Sequence, residues 1–136
     1  MARNILAVIV AAILWMAVFY AFMFATSASW PDFQTHARAW TQQGVFSFTP
    51  LMASFNLVYW LIAAVVAGFV AKKIATRKEA VWVLAGILVL YLASLHFVMM
   101  WSMFPWWYNL GVVIPCVPAV LLGAKLATSA SRGVAA

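Results

Sequence analysis

The imidazoles, thiols and carboxylates of this chain are few: His36 and His96, Cys116, Asp32 and Glu79. A single cysteine leaves no pair for a thiol–disulfide relay. Bis-histidine haem ligation needs two facing imidazoles, and of the two histidines only His96 falls in a long apolar run. His36 has Asp32 one helical turn earlier and no third donor at ligand spacing, so it makes no metal site. Proton-coupled transport within a bilayer needs an intramembrane carboxylate, and Asp32 and Glu79 both flank the apolar runs. No glycine-rich phosphate loop or nucleophile–base pair is present. The chain therefore does not read as an enzyme, and no catalytic residue, cofactor or metal is expected.

The chemistry that remains is hydrogen bonding at one depth. Tyr20, Asn56 and His96 each fall about 7 to 8 Å from the outer end of an apolar run, with Tyr59 and Asn109 close in depth. One reading is a polar pocket open to the outer side, with His96 and Asn56 as its floor. The other is a set of interhelical hydrogen bonds of about 0.6 kcal/mol each that fix helix register. The stretches "LIAAVVAGFV" and "VWVLAGILVL" offer almost no side-chain hydrogen bonding toward the other side, which argues against a through-going polar pathway.

The elements that must position these residues follow from composition. The chain is 68% hydrophobic and 7% charged, against about 25% charged residues in a soluble domain. A bilayer core about 30 Å thick takes roughly 20 apolar residues as a helix. Two spans are predicted at about residues 5–25 and 51–71. The run from Ala80 to Ala124 would be about 67 Å long as one helix, so it must double back. Proline has no amide donor and pushes its predecessor out of helical geometry, which puts the break at Phe104-Pro105 and the spans at about 80–101 and 106–124. The fold class is thus all-α and integral to a membrane, one domain over residues 1–136: a four-transmembrane-helix bundle of two hairpins. Trp101, Trp106, Trp107 and Tyr108 around the break read as an interfacial aromatic belt.

Of the eight basic residues, only Arg38 lies on the outer side. Arg3, Lys72, Lys73, Arg77, Lys78, Lys125 and Arg132 share the other, which places both termini in the cytoplasm by the positive-inside rule. That bias excludes a dual-topology channel, and juxtamembrane placement of the cations points to lipid and away from nucleic acid. "ATSAS" offers small residues for signal cleavage, but the apolar run before it exceeds the usual length of about 7 to 15 residues, so an uncleaved first helix is expected. In the outer loop, residues 30–43 form a short interfacial segment. Ser29 could cap it, Pro31 suits its first turn and Gly44 its exit, while Trp30, Phe33, Ala37 and Trp40 repeat at helical spacing.

Ala64 and Gly68, and likewise Ala119 and Gly123, give small residues at four-residue spacing for close helix packing. Pro115 and Pro118 predict a kink in the last helix, freeing the carbonyls of Gly111 and Ile114. "KIAT" at 73–76 and "KLAT" at 125–128 each end the second helix of a pair, a faint echo of duplication.

The runs "WLIAAVVAGFVAKKIA", "VLAGILVL" and "PWWYNLGVVIPCVPAVLLGAKLA" resemble a widespread group of small four-helix bacterial inner-membrane proteins without an established activity. In that group a tryptophan precedes a small-residue helix ending in basic residues, and a Pro-Trp turn leads into a final proline-containing helix. Ala67-Gly68 stands here where a glycine pair is common. The resemblance implies the fold and the inner-membrane location and transfers no site. The functional expectation is a small accessory or scaffolding protein acting through helix packing or partner binding, as a homo-oligomer or within a larger membrane complex. The alternative is a periplasm-facing small-molecule or lipid-binding protein, or an oligomeric transporter.

Overall fold

A helix pairs its own backbone groups and so suits a chain this apolar. The computed structural model describes residues 1–44 and 47–133; the side chain of Arg132, one of the topology cations, lies outside what it describes. Six α-helices follow one another: α1 (Ala2–Ser29), α2 (Pro31–Gln43), α3 (Pro50–Ile74), α4 (Glu79–Ala93), α5 (Trp106–Val113) and α6 (Cys116–Gly133), with a π-helical segment Ser94–Met99 continuing α4. Four stretches are long and apolar enough to cross a membrane: α1, α3, Glu79–Met99, and Trp106–Ala130 across α5 and α6.

The helices run further than the uncharged cores of the sequence suggest. α1 continues to Ser29, whose hydroxyl donates back to the carbonyl of Ala25 at 2.9 Å. Ser29 therefore belongs to α1 and does not cap α2; the N-cap of α2 is Trp30, with Pro31 in the first turn. Gly44 closes α2 at φ 66°, a left-handed conformation that glycine adopts without steric cost. α3 starts behind Thr49, whose hydroxyl oxygen accepts the amide of Met52 at 3.3 Å.

α3 is the central helix, packed most extensively on α6 and α1 and also on α4. α1 contributes a narrow seam of Ala7, Ala11, Trp15 and Phe19, four residues apart, and Trp60 of α3 stacks on Phe19 with ring centres 3.7 Å apart. Against α6, small residues bring backbones together: Gly68 lies against the carbonyl of Val120 and Gly123 against that of Val65. Ala64 and Ala119 are buried too.

The last span is interrupted between α5 and α6 at Ile114-Pro115. Pro115 cannot donate to a carbonyl one turn back, so α5 ends. Pro118 falls in the first turn of α6, where an amide has no intrahelical acceptor and its loss is tolerated. Helical bonding resumes at once, the amide of Ala119 donating to Pro115 at 3.0 Å. At the end opposite α2, Arg3 Nε donates to the Ile74 carbonyl at 2.7 Å, and Asn4 Oδ1 accepts the Thr76 amide at 2.9 Å, fastening α1 to the end of α3.

The third span departs from its expected course. Where an α-helix to residue 101 was predicted, the helix widens into π geometry at Ser94. Buried Leu84, Leu88, Leu92 and His96 recur every four residues. That spacing drifts around a regular α-helix of 3.6 residues per turn, whereas the wider π turn offsets the drift. His96 thereby stays on the inner face.

Candidate binding site beneath α2

α2 lies across one end of the bundle. Phe33 is fully buried under it and meets Phe48 with ring centres 5.2 Å apart; Trp40 meets Phe104 edge-on at 4.9 Å. His36 Nδ1 and Ser47 Oγ are hydrogen-bonded at 2.8 Å, holding the chain that leaves α2 against it.

Beneath α2 is a cavity of about 250 Å³. Met16, Phe19, Tyr20 and Met23 of α1 form one wall, and Trp60 and Asn56 of α3 another. Tyr91, Leu95, His96 and Met100 line the third side, Phe104 and Tyr108 the fourth, and Trp40, Thr41 and Phe48 the roof. Among the described residues no Asp, Glu, Lys or Arg lines it.

Two hydrogen-bonded groups face this space. In the first, Tyr108 Oη donates to Asn56 Oδ1 at 2.6 Å, Trp60 hydrogen-bonds Tyr108, and Asn56 Nδ2 donates to the thioether of Met23 at 3.1 Å. In the second, His96 Nδ1 pairs with Asn109 Oδ1 at 2.9 Å, and Asn109 Nδ2 points at the carbonyls of Trp101 and Phe104 at 3.4 and 3.3 Å. These long contacts still fix the amide. Reversed, Asn109 would set its oxygen against two carbonyl oxygens, so Oδ1 must be the acceptor and His96 Nδ1–H the donor. In the neutral ring Nε2 is then a lone-pair acceptor. It has no hydrogen-bond partner among the described residues, yet it is not sealed in: Trp15 Nε1 is the one described side-chain polar atom both sealed and unpartnered. Since His96 is 2% exposed and lines the cavity, Nε2 opens into it.

Of the residues placed at this depth from the sequence, Asn56 and His96 meet on the cavity lining and Asn109 stands behind His96. Tyr59 turns away: its hydroxyl is 2.6 Å from Thr26 Oγ1 and its ring stacks on Phe22. Tyr20 is 59% exposed and reaches only the cavity's edge. The residue sequence reasoning assigned elsewhere is Tyr108, 3% exposed, whereas its neighbour Trp106 is 67% exposed as expected of a belt. Helical rotation carried the signal, since Tyr108 shares a face with Val112 while Trp106 lies about 200° away. Among the described residues no group of three or more metal-ligating side chains occurs, and Cys116 is buried and free.

The architecture is that of a helical bundle with four stretches long and apolar enough to cross a membrane, capped by a short amphipathic helix with polar groups gathered beneath it. No protein-family model matches the chain, and neither a curated protein nor a solved structure matches it.

Proposed function

We propose that this chain is a bacterial inner-membrane protein, α2 outward and both termini in the cytoplasm, that binds a small, largely apolar molecule in the cavity beneath α2. The location rests on the sequence resemblance and on the cations gathered at the end opposite α2. The binding role rests on one observation: all four spans, α2 and the turn before α5 converge on a cavity of about 250 Å³ whose walls are mostly aromatic and methionine side chains and whose buried polar groups are oriented by their own partners. Apolar walls with a small number of fixed polar groups are the usual make-up of a ligand site. Gly68 and Gly123, small residues behind the scaffolding expectation, are taken up by the contact between α3 and α6.

Native mass spectrometry of the protein released from mild detergent tests this reading. A small organic molecule retained in stoichiometric amount, and lost in Trp40→Ala, supports it. A stoichiometric protein partner with no small molecule would replace it by the accessory or scaffolding role.

A further inference from the structure

The polar groups on the cavity wall are not equivalent. Tyr108 Oη has its proton on Asn56 Oδ1 and receives Trp60, so it is engaged in both senses. Asn56 Nδ2 spends one N–H on a thioether, a weak acceptor, and keeps a second. His96 Nε2 is an acceptor with no protein donor among the described residues, and the backbone carbonyls behind Asn109 hold the ring in that tautomer. Besides the hydroxyls of Tyr20, Tyr91 and Thr41, which also line it, the cavity thus presents on its described inner wall one open acceptor, His96 Nε2, and the second N–H of Asn56. A hydroxyl can satisfy both, because it donates and accepts; an aromatic N–H only donates.

Charge and size narrow the class further. Among the described residues no carboxylate, lysine or arginine lines the cavity, so a charged ligand would be desolvated without compensation. A dry apolar cavity of about 150 Å³ takes up benzene, and this one, at about 250 Å³, has room for one substituted ring. Phe19, Trp60, Phe104 and Tyr91 supply faces and edges for it.

We infer that the cavity binds a neutral one-ring phenol, its hydroxyl donating to Nε2 of His96. This rests on the binding role proposed above and names its ligand class. His96 is then the residue that selects the hydroxyl, with Asn109 a positioning residue that fixes its tautomer.

The test uses the full chain in nanodiscs of uncharged lipid and fluorine NMR, which separates protein-bound probe from probe dissolved in lipid. The probes are 4-fluorophenol and its isostere 4-fluorotoluene, each affinity taken relative to the lipid-dissolved form. One hydrogen bond should favour the phenol by about fivefold to tenfold in the wild type, and the preference should fall to within about twofold in His96→Phe. Equal binding of both probes to the wild type overturns the hydroxyl assignment and leaves the cavity reading standing. Absence of a protein-bound signal for either overturns both. A preference that persists in folded His96→Phe overturns the role of His96; if that variant does not fold, the wild-type pair still decides the ligand class.

Discussion

Gly68 of α3 and Gly123 of α6 form a reciprocal pair, each missing a side chain where the backbone of the other's helix passes. A Cβ at Gly68 would overlap the Val120 carbonyl, and one at Gly123 the Val65 carbonyl. Backbone cannot swing aside as a side-chain tip can, so the helices would have to separate. Gly86 is different: a Cβ there meets nothing within 4 Å. Gly68→Ala and Gly123→Ala should each destabilise the bundle by about 1 to 3 kcal/mol. Gly86→Ala should gain up to about 1 kcal/mol from helix propensity. Thermal or denaturant unfolding in one detergent ranks the three, and equal effects would contradict the seam.

Asn109, fully buried, holds together three groups: His96 and the carbonyls of Trp101 and Phe104. Asn109→Leu should therefore cost about 2 kcal/mol, within the range for unsatisfied buried polar groups. His96→Gln retains a donor for Asn109 and should cost less than half as much. Unfolding curves of the two variants beside the wild type check the order, and a costlier His96→Gln would remove Asn109 from its central position.

The proposed orientation is open to thiol labelling, because the chain's own Cys116 is buried. Gln42 on α2 and Lys78 before α4 are both exposed and lie at opposite ends of the bundle. In intact cells a membrane-impermeant maleimide should modify Gln42→Cys and spare Lys78→Cys until the cells are opened. The reverse pattern would invert the topology and place the cavity on the cytoplasmic side.

Position along the helix axis was largely legible in the sequence; rotation about that axis was not. Uncharged runs and Pro105 marked out the four long apolar stretches, although the last runs past its expected end at residue 124 to Ala130, and counting from their ends brought Asn56 and His96 to a common depth. A soluble helix also betrays its inner face, because its outer face is polar. Here lipid and core are both apolar, so that signal is absent. Tyr20 shares the depth of Asn56 yet is 59% exposed, and Tyr108, grouped with the surrounding tryptophans, is 3% exposed and hydrogen-bonded to Asn56. The π geometry that keeps His96 inward arises from packing and had no counterpart in local residue types.

The contact between α3 and α6 also bears on biosynthesis. The ribosome finishes α3 at Ile74, about fifty residues before it reaches Gly123. Until α6 is made and inserted, the glycine face of α3 lacks the backbone that it packs against in the folded bundle. Closure of this seam therefore follows the synthesis of α4 and α5.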